Sequence, residues 1–372
     1  MKKIIRLFAC CIPVKGYRRT CIYDLQRPKS SCFIPNDLYE ILTSFPNKNI
    51  DELKAYYNHQ YDDIIESYFQ FLLDNEFAYE LQENELDKFP PLENIWESPS
   101  EITNCIISIS KEKVFSLKSI LQQLSDLRCN AIQFFLPDNA TTSIIKDLTN
   151  LLEGLRIFSV EFLLNYNNSL DISNLTSILD TFPRIRHIGI GNYQDKPFLE
   201  DYRISYSTDY INFQHDCGKI SSHYFSISID TFFEAKQYNS CLNRKLFIDS
   251  NGNIKNCPSS KQIYGNVQDT TLKSIIENPK FKDIWLINKD KIDVCKDCEF
   301  RYMCTDCRCF LKQSNNLYSQ PYKCTYNPYI ALWESENGYV PVEECGTFNK
   351  NFKFIPNHEK ILLLNQKIWN ND

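Results

Sequence analysis

Four strand-like runs, "ITNCIISI", "AIQFFL", "IFSVEFLL" and "IRHIGI", begin near residues 102, 131, 157 and 185. The spacing is roughly 28 residues, about the length of one strand–helix–strand unit. Between the runs, apolar residues fall at helical intervals: Leu117, Ile120, Leu121 and Leu124, then Ile144, Leu148, Leu151, Leu152 and Leu155. Strands alternating with helices in this way build a parallel sheet. A leucine-rich repeat has a similar period, but "IRHIGIGN" lacks its L-x-x-L-x-L-x-x-N spacing, and the other strands fit no better. The expectation is an α/β chain with a partial or full β/α barrel over residues 101–236. Further strands are expected at "YRISYS", "YFSISI" and "RKLFID", and a helix at "TFFEAK".

The region ahead of the repeat reads differently. Within residues 1–81, "IIRLFACCIPV" and "TCIYDL" are apolar runs separated by the basic turn "KGYRR", and "SCFIP" is a short third strand. "PNDLYEILTSF" puts Leu38, Ile41, Leu42 and Phe45 on one helical face, with Pro35 at its entry. "IDELKAYY" and "DDIIESYFQFLLDN" give two more helices, and "FAYEL" a closing strand. Strands, three helices and a strand form a winged-helix-like α+β pattern. Residues 82–100, acidic and carrying Pro90–Pro91, read as a linker.

At 372 residues the chain needs two or three domains. A net charge near −6 argues against nucleic-acid binding, which needs a basic surface. No apolar run is long enough to cross a membrane. The start "MKKIIRLFACCIPV" has the lysines of a lipoprotein signal, but Arg6 interrupts an apolar run that is already too short, so a first strand is expected. The 16 cysteines crowd toward the C-terminal end rather than spreading as a disulfide scaffold, which fits a reducing cytoplasm.

The crowding has a pattern. Cys241 and Cys257 flank Gly252, then Cys295, Cys298, Cys304, Cys307 and Cys309 fall close together, and Cys324 follows. Pairs two residues apart suit metals, because the turn between them aims both sulfurs at one centre while backbone amides bond to them. A zinc ribbon separates its pairs by about 15–20 residues; here Cys298 and Cys304 are too near for that hairpin.

The series C-x10-G-x4-C, C-x2-C-x5-C and a last Cys resembles the SPASM domain, the C-terminal extension of peptide-modifying radical S-adenosylmethionine enzymes. "NSCLNRKLFIDSNGNIKNCPS" and "CKDCEFRYMCTDCR", with "YDLQR" and "FIPNDLYEIL" near the start, resemble the maturases that accompany ATP-grasp ligases, the grasp-with-spasm systems. The resemblance implies a C-terminal SPASM iron–sulfur domain over 237–345, a tail over 346–372, and two auxiliary 4Fe-4S clusters. One cluster would take Cys241, Cys257 and Cys307, the other Cys295, Cys298, Cys304 and Cys324. The usual C-x3-C step is here Cys304-x2-Cys307 followed by Cys309, so the choice between Cys307 and Cys309 stays open. So does the first cluster's fourth ligand, for which Cys309, Cys345, Cys217 or a non-protein group are the candidates.

The radical machinery of that family is not legible. Its C-x3-C-x2-C belongs in the loop after the first barrel strand, which here reads "SKEKVFS", and its Gly-rich segment at the end of the second strand reads "FFLPDNATT". Cys105 lies within a strand and Cys129 just before the next one. S-adenosylmethionine is therefore not expected as a cofactor, and the barrel reads as degenerate. The five histidines (His59, His187, His215, His223, His358) have no metal or triad spacing, although "QHDCG" sets His215 beside Cys217 as a Cys–His nucleophile candidate.

The resemblance implies an accessory or maturase protein for a ribosomally made peptide. It would bind the precursor's leader through residues 1–81 and work with an ATP-grasp ligase. The leader would add a strand at Cys10–Val14 or Thr20–Leu25. A redox or radical peptide-modifying enzyme and a zinc-stapled binding scaffold are the competing readings.

Overall fold

The computed structural model describes residues 3–27, 31–47, 49–110, 116–138, 140–195 and 201–369. The apolar opening run divides at Phe8 to Cys10, where the Cys11 N–H turns back to the Phe8 carbonyl (2.9 Å). Strand β1 (Lys3–Leu7) lies before the break and β2 (Cys11–Lys15) after it; β3 (Thr20–Asp24) and β4 (Cys32–Ile34) follow. Helices α1 (Asn36–Ser44), α2 (Ile50–Tyr56) and α3 (Asp62–Asp74) come next, then β5 (Ala78–Gln82). Asn49 and Glu52 cap α2 reciprocally, each side chain accepting from the other's backbone N–H. These strands form two separate antiparallel sheets, β1–β5 and β2–β3–β4.

Every residue of β3 is buried, which a strand covered on both faces requires. On one face Ile22 packs with Leu38, Leu53, Ile65, Phe69 and Leu72 of the three helices. On the other, Val14, Cys21 and Tyr23 pack with Phe232, Phe300, Tyr302, Met303 and Tyr326 from far along the chain. The N-terminal unit thus shares a core with the cysteine-rich end. Residues 83–100 fold back rather than hang free: Trp96 stacks edge-on to Tyr238 (5.7 Å), and Arg244 lies over its ring (5.3 Å).

The repeat builds the central sheet. Strands β6 (Asn104–Ser108), β7 (Ala131–Leu136), β8 (Ser159–Asn165), β9 (Ile185–Gly191) and β10 (Ile204–Tyr206) run parallel, each beside the last. Helices α4 (Leu117–Asp126), α5 (Thr142–Asn150) and α6 (Leu175–Thr181) connect the first four. Ile107, Phe134, Phe162 and Ile188 of the strands meet Leu121, Leu124, Leu148 and Ile178 of the helices in one core. The short helix α7 (Phe213–Asp216) and α8 (Ile229–Gln237) precede β11 (Lys245–Ile248), which pairs parallel with β6. Hairpin partners β12 (Asn253–Lys255) and β13 (Gly265–Asn266) complete eight strands in the order β10-β9-β8-β7-β6-β11-β12-β13. The order has two ends, so among the described residues the sheet is open.

The strand expected at "YFSISI" does not form. Residues Ser222–Tyr224 make a 3₁₀ turn, and Ser228 caps α8 by accepting from the Thr231 N–H (3.1 Å). The alternation of serine with apolar residues there belongs to a helix start, where a hydroxyl satisfies an unpaired amide. Beyond β13 come α9 (Leu272–Glu277) and α10 (Pro279–Lys282), hairpin β14–β15 (Tyr326–Asn327, Leu332–Trp333), hairpin β16–β17 (Gly346–Phe348, Phe354–Pro356) and α11 (His358–Trp369). The expected C-terminal tail therefore contains a hairpin and a helix. Asn365 and Trp369 of that helix donate to the carbonyls of Tyr329 and Ile330 (2.9 and 3.1 Å). No helix among the described residues is long and apolar enough to cross a membrane.

Candidate metal centre

The C-terminal cysteines gather in two groups. Cys295, Cys298, Cys304 and Cys324 line one small cavity, walled by Phe225, Phe300, Tyr326 and Trp333. A 3₁₀ turn over Cys295–Asp297 brings the first two together, and the Phe300 N–H donates to the Cys298 sulfur (3.4 Å). Val294, just before the turn, holds φ at +67°, an outlier for a β-branched residue. Burial pushes the Cys295 thiol up to about 12 and the Cys304 thiol up to about 11.

The second group forms around Cys257. The Cys217 thiol is free and lies beside Cys257, whose proximity, ahead of burial, raises its pKa. Cys309 and Cys241 also lie near Cys257. Cys307 faces Cys241, with the N–H groups of Phe310 and Cys309 directed at its sulfur. Gly218 makes room for it: at φ +76°, a β-carbon there would lie 2.8 Å from the Cys307 sulfur. Five sulfurs therefore meet where the sequence marked three and left others open. Cys345 stays away, packed with Val294, Tyr329 and Ile330, its sulfur accepting from Asn327 Nδ2 (3.4 Å).

Each group holds one lysine, Lys289 buried and Lys245 half-buried. Lys245 Nζ lies 3.9 Å from the Cys241 sulfur. Cys241 raises the Lys245 pKa, burial opposes, and Cys257 and Cys217 add to the rise. Burial works against the Lys289 ammonium, yet Cys304, Cys295 and Asp306 outweigh it and hold it above the ordinary lysine value. Asp306, wholly buried, joins the groups: it accepts from Arg308 Nη2 and Asn239 Nδ2 (both 2.6 Å) and lies 3.7 Å from Lys289 Nζ. Asn239 in turn accepts the Cys241 and Leu242 N–H groups (3.0 and 2.9 Å). Sequence reasoning passed over these five residues, whose only signal is their position near the cysteines.

Among the described residues, no three of these C-terminal sulfurs lie within 4.8 Å of one another. A single zinc with four thiolates needs sulfurs about 3.8 Å apart, from its tetrahedral geometry and ~2.3 Å bonds. The wider grouping, the N–H···S bonds and the nearby lysines fit an iron–sulfur centre, whose larger core carries net negative charge.

Other candidates fall elsewhere. Cys105 and Cys129 are buried together in the helix-side core of the sheet, their thiols on the carbonyls of Ile106 (3.7 Å) and Ala131 (3.3 Å). The loop Lys111–Phe115 and Asn139 lie outside the described residues. His215 is exposed while the Cys217 thiol turns to Cys257, so the two do not form a nucleophile pair. Of the two strands considered for adding a peptide strand, β3 is paired on both sides and is closed to it. Strand β2 is paired only with β3 among the described residues.

Residues 240–299 match the SPASM family, an iron–sulfur cluster-binding domain. The match spans Cys241, Cys257, Cys295 and Cys298. Among solved structures, SuiB of Streptococcus suis bound to S-adenosylmethionine aligns over 86% of this chain and 99% of its own, at 12% identity and a TM-score of 0.34. A second SuiB structure aligns over 85% and 98%, at 11% identity and a TM-score of 0.35. No curated protein matches.

Proposed function

We propose that this chain is an iron–sulfur accessory or maturase protein for a ribosomally made peptide, acting beside an ATP-grasp ligase. The observation that carries the reading is the gathering of nine cysteines into two groups, each with a lysine beside it, four of them within the stretch that matches an iron–sulfur domain. Cys295, Cys298, Cys304 and Cys324 hold one 4Fe-4S cluster. Cys241, Cys257 and Cys307 hold the other, with Cys309 or Cys217 completing it. When bound, closed all-cysteine clusters would supply electron transfer or structural cross-linking. Lys245 and Lys289 offset the thiolate charge that burial penalises, and Asp306 fixes the distance between the two loops.

The leader peptide takes the groove beside β2. Ile5, Leu7, Phe8, Ile12, Leu42 and Phe45 line it, with Phe89–Leu92 along one rim. A peptide strand against β2 would gain main-chain bonds, except at Pro13, and place alternate side chains on the apolar floor.

Anaerobic purification under iron-replete expression tests the reading. Up to eight irons and eight sulfides per chain are expected, the content of two clusters (on the order of four irons each). Precursor conversion should need both this chain and the ligase. Stoichiometric zinc without iron favours the scaffold reading, and conversion without the ligase favours an enzyme in its own right.

A further inference from the structure

A third thiol site lies apart from the C-terminal groups. Cys11 and Asp24 are direct cross-strand partners on β2 and β3. Cys10, in the turn before β2, is held there by the Leu25 N–H donating to its carbonyl (2.9 Å). One ligand atom from each of Cys10, Cys11 and Asp24 comes within 4.8 Å of the other two, and no other three such side chains among the described residues approach so closely. Cys11 and Asp24 are almost wholly buried, while Cys10 is half-buried.

We propose that Cys10, Cys11 and Asp24 bind a zinc-type divalent cation at the floor of the N-terminal groove. Two thiolates and a carboxylate are a zinc donor set, and three protein ligands leave a fourth tetrahedral position. Cys10 and Cys11 line the groove, so that position faces whatever occupies it. A peptide thiol, imidazole or carboxylate would complete the coordination. The carboxylate is already oriented: Asp24 Oδ1 accepts the Gln26 and Arg27 N–H groups (3.0 and 2.8 Å), and Oδ2 accepts from Arg27 Nε (2.6 Å). Such outer bonds fix a ligand's direction and tune its affinity. Arg27 also balances one of the three ligand charges, leaving two for a divalent ion; its other contact, Glu76, is exposed.

The site is separate from the iron–sulfur reading, and the test keeps them apart. Iron–sulfur-loaded full-length protein is equilibrated with zinc, desalted, and assayed for zinc and iron together. One zinc per chain is expected in the wild type and in Cys129→Ser, and none in Cys10→Ser/Cys11→Ser, with iron unchanged in all three. Asp24→Asn, which keeps the acceptor for the Gln26 and Arg27 amides, should weaken zinc against a competing chelator by more than the about 10–100-fold that losing an outer-shell partner costs. A single cadmium-113 resonance of mixed sulfur–oxygen coordination should appear and be lost in the double variant. Equal zinc in wild type and double variant overturns the proposal, as does zinc that rises only as iron falls. So does recovery of Cys10 and Cys11 as a disulfide in anaerobic, zinc-exposed protein.

Discussion

Gly218 is the residue on which the Cys257 group turns. Its positive φ would cost a side-chain-bearing residue roughly 1–2 kcal/mol, and its missing β-carbon leaves the space that the Cys307 sulfur occupies. Gly218→Ala should therefore push Cys307 aside. Iron bound by the Cys241 group should fall while the Cys295 group keeps its own, seen as half the wild-type iron content. Unchanged iron would remove Cys307 from the ligand set. Protonation gives a second prediction at this scale. Burial keeps the metal-free thiols of Cys295 and Cys304 protonated up to about 12 and 11, whereas in the unfolded chain they ionise near ~8.5. Above pH ~8.5 the unfolded state thus holds fewer protons than the folded one. The metal-free fold should lose stability from there through pH 11–12, while cluster assembly, which releases these protons, becomes easier. Chemical reconstitution should run faster at pH 8.5 than at pH 7 (values bracketing the ordinary thiol range), and a flat profile would contradict the thiol assignment.

At the scale of elements, the decisive contact is the β2–β3 hairpin seated on the loop from Cys295 to Cys304. Tyr23 donates to the Glu299 carbonyl (2.6 Å), Arg301 to the Lys15 carbonyl (2.6 Å), and the Tyr17 N–H to the Asp297 carbonyl (2.7 Å). The Glu299 carboxylate, wholly buried, accepts from Arg19 Nε (2.7 Å) and the Tyr326 hydroxyl (2.5 Å). Arg19→Met removes the cation and leaves that charge buried. The cost should be on the order of 3 kcal/mol, read by chemical denaturation of the loaded protein. Asp306→Ala acts similarly inside the metal region: it strands Arg308 and Lys289, so both groups should lose iron together. The start of α1 was legible: Pro35 stands at its entry, and the helix begins at Asn36. The strand expected at "YFSISI" was not, because serines in alternation serve a strand face and a helix cap equally well, and only the Ser228–Thr231 bond distinguishes them.

For the whole molecule, the shared core between the N-terminal unit and residues 225–333 changes how peptide binding should be measured. A fragment of residues 1–85 would expose Val14, Cys21 and Tyr23, which the cysteine-rich end covers. Full-length protein should bind the leader with micromolar-range affinity, roughly −8 kcal/mol, while the fragment binds more weakly or aggregates. A charged substitution at the groove, Ile12→Asp, should abolish binding without loss of iron; retained affinity would move the leader site to the barrel. Incubation of the loaded chain with dithionite and S-adenosylmethionine should give no 5′-deoxyadenosine above a buffer control. Release of it that disappears on mutating a cluster cysteine would instead make the chain a radical enzyme.

The sequence determined whatever depends on local spacing. The strand–helix period dictated the parallel sheet, because each amphipathic unit has one way to bury its apolar face against the next. The cysteine spacings marked a metal-binding stretch, while the set Cys295, Cys298, Cys304 and Cys324 came from the family resemblance, and the fold lines one cavity with those four. Only tertiary structure decided the rest. Cys217 reaches Cys257 from well up the chain, whereas Lys245 is brought toward it locally by the β11–β12 hairpin, which pairs Phe247 with Lys255. The Cys10–Cys11–Asp24 site exists because antiparallel register sets residue 11 opposite residue 24. Such pairings are decided by which buried faces fit together, and chain order does not encode that in any short stretch.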